Sequence, residues 1–538
     1  MKQNWQVSLL VLFIILMITP YCYLAITTDH KFYSPDETAN FVFTKQFIEN
    51  STFSIETQIN TEVNNAIFPR SVNVTDGNFV PMSFLGLLIF YGLAGKLFSI
   101  YIVTFLTPLL SLLGVFLFFK VIDSIFNKNT ALFASLCLLF NPIYWYLAGK
   151  SMMHNNLFVF FIILGLWLLI KALSEDRFKT IFFSLSAIVF GVSIWTRTSE
   201  IIWVGILLLI FYIVNKKMIQ GKYFFLFLSI FCIMIGALFA INYSIYSSLF
   251  RTGYSSLEGQ ANNSIIALFQ QILLPFGFSL KNIGFHIWEF FIKYLWFLTL
   301  PGIWGIILFS KIKKTSLQKS YLLSTILISI YLLIYYGSYW PWGQYGQPSE
   351  PEVLIGSPHL RYWLPILVLS LPFIYIFIEK VLPKLFSYIK EKKVILVSLI
   401  IFFSILISFS THQVFYSPKE GYVKIKNDIE DFSPRLEKVS ELIEPDSIII
   451  VPAWADRVFY PEYDVIHSLG DKLIYQNNIY DEVKKLAELR PVYYYSANSD
   501  QDITSLNNTE FIPRNLVLVE VLPIFKGEKL YKLSTYEQ

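Results

Sequence analysis

The sequence predicts a polytopic α-helical membrane protein, about eleven transmembrane helices followed by a small extracytoplasmic α/β domain. Three observations predict the class and its two parts. Of 538 residues, 55% are hydrophobic and 15% charged, whereas soluble domains carry roughly 25% charged residues. Apolar windows of about 20 residues, each long enough to cross a bilayer, recur until about position 410. Beyond Thr411 the chain turns polar and acquires short strand-like runs. The formal net charge of +4 is small for this length and gives no footing for a nucleic-acid partner.

Taken in order, spans are predicted at Gln6–Thr27, Ile100–Val121, Thr130–Leu147, His154–Lys171, Phe178–Trp195 and Glu200–Asn215. Further spans are predicted at Tyr223–Tyr243, Ile287–Ser310, Ser320–Ser338, Leu360–Ile378 and Val394–Phe409. Val80–Leu97 is also apolar, but Gly86, Gly92 and Gly95 interrupt it, and it reads as re-entrant or membrane-surface. Orientation follows from the basic residues of short loops, which resist translocation. Lys171/Arg177/Lys179, Lys216/Lys217/Lys222, Lys311/Lys313/Lys314/Lys319 and Lys380/Lys384/Lys390/Lys392/Lys393 fall in alternate loops, and the loops between hold few. The expectation is a multi-pass cell-membrane protein with a cytoplasmic N-terminus, and Val80–Leu97 counted as a full span would break the alternation. Residues 1–410 then form the transmembrane domain, with a first exterior loop at 28–80, and residues 411–538 an extracytoplasmic cap.

The cap reads as α/β: strand-like Ser447–Val451, Val492–Tyr495 and Leu516–Leu522, with a helix at Asp481–Arg490 stopped by Pro491. Cys22, Cys137 and Cys232 all lie in apolar runs and read as small core hydrophobes. No metal-ligand spacing occurs, so no metal or other cofactor is assigned, and nothing supports a divalent ion beyond its being chemically possible.

Ser34-Pro35-Asp36-Glu37 opens the first exterior loop. Ser at N-cap, Pro at the first helical position and Glu at the third make a capping box. Ala39, Phe43 and Phe47 then share one face, as on a helix lying on the membrane. Capping needs only Ser34 and Glu37. Asp36 is surplus to it, and near a membrane surface a carboxylate can serve as a general base; on these residues alone capping and catalysis both stand. Arg361, at the edge of a span, either snorkels to the interface or holds a lipid phosphate bidentately. Arg70 offers a second phosphate contact. Arg197 and Glu200 either pair with each other or face a ligand, and His154 is interfacial or a ligand. The aromatic loop Tyr339-Trp340-Pro341-Trp342-Gly343-Gln344-Tyr345-Gly346 is an interfacial belt or a stacking platform for a sugar.

The stretch S-P-D-E-T-A-N-F-V-F-T-K-Q-F resembles the helix-opening acidic pair of GT-C membrane glycosyltransferases, in the branch of protein O-mannosyltransferases and aminoarabinose-type lipid glycosyltransferases. Asn141-Pro142-Ile143-Tyr144-Trp145 with Lys150 and His154, Trp195-Thr196-Arg197-Thr198-Ser199-Glu200, and His359-Leu360-Arg361-Tyr362-Trp363-Leu364-Pro365 resemble later turns of the same family, in the same order and on one predicted side. The chain departs from the family at His154-Asn155-Asn156, where many members carry an Asp. The resemblance implies inverting transfer of a sugar from a polyprenyl-phosphate-linked donor in the membrane lipid to a glycan, lipid or protein acceptor. Asp36 is then the base, with Glu37 a second catalytic candidate. Arg361, Arg70 and His359 are the candidates for the donor phosphate, and His154, Arg197, Glu200 and Tyr345 for the pocket. The competing class is a transporter, flippase or polysaccharide ligase; the near absence of charge within the spans favours chemistry at one face instead.

Overall fold

A computed structural model describes residues 5–249, 253, 273–340, 342, 351–452, 454–468, 479–497, 500–525 and 527–536. Tyr345, together with most of its aromatic loop, lies outside the described residues. The molecule is mostly helical. Among the described residues eight helices are long and apolar enough to cross a membrane, and two bent helix pairs raise the number to ten.

Among the described residues eight to ten spans stand where about eleven are expected; several predicted runs are broken, and proline accounts for two of the breaks. The run from Gln6 stops as a regular helix at Leu16 and continues only as the short pieces Ile18–Tyr21 and Tyr23–Thr27. Pro20 lies four residues beyond Leu16; it has no N–H for that carbonyl, and its ring crowds it. The run predicted at Thr130–Leu147 divides into Lys128–Leu139 and Pro142–Gly149, bent by 52°. A residue before proline is pushed out of the helical region, and Asn141 is extended, with ψ 124°. Its side chain accepts from the N–H groups of Ile143 and Tyr144 at 3.0 and 3.1 Å, which starts the new helix. The third break, 106°, falls between Leu280–Tyr294 and Trp296–Ser310, after a wide π-type turn at Ile287–Tyr294.

Val80–Leu97 is resolved into a strand and the continuous helix Leu85–Leu97. Its 13 residues reach about 20 Å, short of the roughly 30 Å of a bilayer core. The glycines do not break it. They let neighbours approach: a Cβ on Gly92 would lie 2.4 Å from the Phe47 ring, and one on Gly86 would lie 2.3 Å from the Trp195 carbonyl carbon. The partner across Gly92 is the motif helix Pro35–Asn50. Its Ala39 and Phe43 are 2% and 0% exposed. That apolar face is therefore spent on protein packing and does not lie on the membrane.

The first loop also holds a hairpin of β1 (Val72–Thr75) and β2 (Asn78–Pro81). Asp76 and Gly77 connect them with φ of 51° and 81°, the paired positive values of a two-residue type I′ turn.

The last span, Glu391–Tyr416, runs past position 410 before the chain enters the cap. Helices Tyr422–Glu430 and Phe432–Ser440 lead to a five-stranded mixed sheet of order β4-β3-β5-β7-β6. Its strands are β3 (Ile448–Pro452), β4 (Asp464–Ser468), β5 (Val492–Ser496), β6 (Leu516–Phe525) and β7 (Glu528–Thr535). β3 runs parallel to β4 and β5, and β7 antiparallel to β5 and β6. Ile448 to Val451 are all 0% exposed. The cap is stitched to the bundle by Tyr422, whose hydroxyl oxygen lies 2.9 Å from the carbonyls of Trp145 and Tyr146 and accepts from the Gly149 N–H at 3.1 Å.

Candidate active site

The two carboxylates of the motif have opposite surroundings. Glu37 is buried, 4% exposed. It accepts from the backbone N–H groups of Met152 and Ser34, with the Lys150 ammonium nearby; burial nevertheless pushes its carboxyl up to about 7. One turn on, the Asn40 amide donates to the Met152 carbonyl at 2.8 Å. Glu37 and Asn40 thus grip both polar groups of one residue in the turn before the His154 span. Only half of the predicted capping box forms: Glu37 reaches back to Ser34, but the Ser34 side chain makes no capping hydrogen bond. Asp36 is partly exposed, and Ser71, just before β1, donates its hydroxyl to Asp36 Oδ1.

Three later motifs converge on the same end of the bundle. Asp36 and Arg197 both act electrostatically on His154 and on Arg361. Arg197 is already neutralised. Its Nε and Nη2 donate to Glu200 Oε1 at 3.0 and 2.7 Å, while Tyr336 Oη donates to that oxygen at 2.6 Å and Trp203 Nε1 to Oε2 at 2.5 Å. Arg361 is not. It touches the Tyr362 hydroxyl at 3.4 Å, its Nε is buried without a partner, and among the described residues no carboxylate pairs with it.

The remaining predicted residues each have contacts of their own. His154, 6% exposed, braces the hairpin end: its Nε2 lies 2.9 Å from Ser83 Oγ and 3.2 Å from the Phe84 carbonyl oxygen. His359 is 1% exposed inside a stack with His286, at 4.1 Å between ring centroids, and Trp342, at 5.7 Å. Two residues apart on a helix, His359 and Arg361 leave it about 200° apart, although Arg361 still acts electrostatically on His359. Arg70 is exposed and faces the cap, where it acts on Asp456, Arg457 and His467. Three charged residues at this end escaped sequence reasoning as site residues: Lys150, whose ammonium sits 5.6 and 5.4 Å from the ring centroids of Tyr33 and Tyr146, and Asp456 and Arg457. The cap pair carries no motif, and only the folded junction reveals it. Among the described residues no group of three or more His, Cys, Asp and Glu comes together as a metal site.

Comparisons with known proteins agree with this architecture. A family model described as dolichyl-phosphate-mannose-protein mannosyltransferase matches residues 80–240. The archaeal oligosaccharyltransferase AglB from Archaeoglobus fulgidus, in complex with an inhibitory peptide and a dolichol-phosphate, superposes with a TM-score of 0.56 at 11% identity, over 91% of this chain and 69% of its own. The chain has a GT-C fold. The same oligosaccharyltransferase tethered to an acceptor peptide matches the GT-C fold over 100% of this chain and 74% of its own, with a TM-score of 0.54 at 11% identity. ArnT from Cupriavidus metallidurans in the apo state matches at 12% identity over 98% of each chain, with a TM-score of 0.49. At such identities the likeness is one of fold. No curated protein matches the chain. Asp36 and Arg361 both fall outside the segment that the family model matches.

Proposed function

We propose that this protein is a glycosyltransferase that takes a sugar from a polyprenyl-phosphate donor at the extracytoplasmic face of the membrane. The observation that carries the reading is the placement of Asp36, partly exposed, within electrostatic reach of Arg361, with which no carboxylate pairs among the described residues. An acceptor hydroxyl attacks the anomeric carbon from one side while the carbon–oxygen bond to the phosphate breaks on the other. Asp36 takes the hydroxyl proton, and the departing polyprenyl phosphate carries the electron pair and its negative charge toward Arg361. The stereochemistry inverts.

The surroundings beyond Arg361 are apolar, which suits a lipid tail. An apolar cavity between spans is lined by Phe118, Val159, Leu166, Trp203, Pro365 and Val368. Pro365 and Val368 stand four and seven residues beyond Arg361, on the same face of one helix, so a phosphate at Arg361 leads its chain directly into apolar surroundings. Arg70, one residue before Ser71, is the second candidate for the phosphate. The cap covers this end and shapes access for a glycan, lipid or protein acceptor.

Purified protein is to be offered a panel of polyprenyl-phosphate sugars, wild type beside Asp36→Asn. Transfer by the wild type and its loss in the variant support the reading; full activity in Asp36→Asn removes Asp36 as the base, and no turnover of any donor removes the reaction. Sidedness is tested separately. Asp446 is exposed on the cap, so Asp446→Cys in intact cells reacts with an impermeant thiol reagent if the cap is outside, and only after lysis if the orientation is reversed.

A further inference from the structure

Two adjacent cap residues hold the chain on both sides of Asp36. The Arg457 guanidinium donates to the Tyr33 carbonyl oxygen and lies 4.3 Å over the Tyr33 ring. Tyr33 directly precedes Ser34, at which the motif helix starts, and stands three residues before Asp36. On the other side, the Asp456 carboxylate accepts from the backbone N–H groups of Arg457 and Arg70. The residue after Arg70 is Ser71, whose hydroxyl donates to Asp36 Oδ1. One arm fixes the backbone that carries the carboxylate, and the other fixes the donor that orients it.

The cap sheet is built to deliver this dipeptide. β3 is flanked by parallel neighbours β4 and β5, reached by connections that leave in opposite directions, and the crevice at the carboxyl ends of such strands is where functional groups of open α/β sheets collect. Asp456 opens the short helix that follows β3. The end of β4 rests on the same first-loop segment: the His467 N–H donates to the Phe68 carbonyl at 3.1 Å, and Phe68 bridges in parallel to Ile466. Asp456 is 2% exposed, yet its Oδ1 has no hydrogen-bond partner, nor has the buried Nε of Arg457. Unmet buried polar atoms cost folding free energy. Burial pushes the Asp456 carboxyl up to about 7, against the opposing charges of Arg457 and Arg70. An ordinary domain contact would be cheaper to make from apolar residues.

We infer that Asp456 and Arg457 are positioning residues for Asp36, so that the seating of the cap fixes where the catalytic carboxylate points. The inference rests on the reading of Asp36 as the base. Its physical half, the grip on the motif, does not need that reading.

The test compares full-length wild type with Arg457→Ala, Arg457→Lys, Asp456→Leu and Asp456→Asn, the last keeping shape and one acceptor oxygen should Asp456→Leu fail to fold. Hydrogen–deuterium exchange over residues 33–38 and 69–72 reads the grip, and transfer kinetics read its consequence. Expected are faster exchange confined to these peptides in Arg457→Ala and Asp456→Leu and a kcat lowered about 100-fold, the scale of a misplaced reacting group, with donor KM within twofold. Partial rescue is expected from Arg457→Lys, from Asp456→Asn and from millimolar guanidinium added to Arg457→Ala. Unchanged exchange overturns the inference whatever the activity does, and faster exchange with unchanged kcat overturns the positioning role. If the wild type transfers no sugar, the proposed function falls, and the exchange result alone decides whether the cap grips the motif.

Discussion

Arg197 and Arg361 share one tyrosine and differ in everything else. Their guanidinium carbons lie 5.7 and 5.3 Å from the Tyr362 ring centroid, and Tyr336 stacks on that ring at 4.1 Å. Around Arg197 the circle closes, with Glu200 paired to it and both oxygens of Glu200 engaged by further donors. Around Arg361, among the described residues, it stays open, with the Tyr362 hydroxyl 3.4 Å away and a buried Nε left over. Arg361 is half-buried, and leaving its buried Nε without an acceptor costs free energy. Two arginines in one neighbourhood, one paired with an anion among the described residues and one not, separate a structural charge from the one that the proposed function assigns to the donor phosphate. Glu37 and Asp36 repeat the contrast one helix away: the first is buried and saturated, the second partly exposed.

The comparison can be broken by substitution. The largest effect expected is at Asp36, where Asp36→Asn lowers the transfer rate by roughly 10²–10⁴, the usual contribution of a positioned base, with an unchanged melting temperature in detergent. Arg197→Ala strands Glu200 and should destabilise the fold by about 3–5 kcal/mol, seen as a lower melting temperature. Arg361→Ala should leave the melting temperature in place and weaken donor binding by about 1.5–3 kcal/mol, roughly 10- to 150-fold in donor KM. If those two variants exchange phenotypes, the division into closed and open arginines fails. The last effect is a slope with pH. The Glu37 pKa of about 7 lies above its ordinary 4.5, so the folded chain holds a proton that the unfolded chain has released. Stability then falls as pH rises between those values and the loss is complete above the higher one. Melting curves from pH 4 to 8 should show this fall, and Glu37→Gln should flatten it.

Legibility in the sequence followed range. Spans and the order of the motifs depend on local hydropathy and residue type, so Asp36, Arg197 and Arg361 could be named before any fold was known. The expectation that Arg197 and Glu200 either pair or bind a ligand resolves in favour of the pair, since their i,i+3 spacing already allows it. The hairpin was readable and missed: Asp76-Gly77 between two apolar stretches is a strong turn signal. β4 and β7 are harder to read, because β4 is five residues with a charged start and β7 mixes charged and polar residues with two leucines and a tyrosine in a polar tail. The glycines of Leu85–Leu97 misled for a physical reason: glycine marks either a break or a close approach, and only the partner, here Phe47 and the Trp195 backbone, tells which. Asp456 and Arg457 were illegible because their meaning lies in contacts with Tyr33 and Arg70, more than 380 positions earlier.

Tyr422 sets a timetable for biosynthesis. The Gly149 N–H meets the Tyr422 hydroxyl across 273 positions of sequence. At roughly 5–20 residues added per second, the helix Pro142–Gly149 is made roughly 14–55 s before the phenol that completes it. Until then its last backbone groups remain unsealed, and the nascent bundle carries an unfinished polar end that the last-made part of the chain closes. A ribosome stalled between residues 150 and 420 should therefore display this end to chaperones and proteases, whereas one stalled beyond the cap should not.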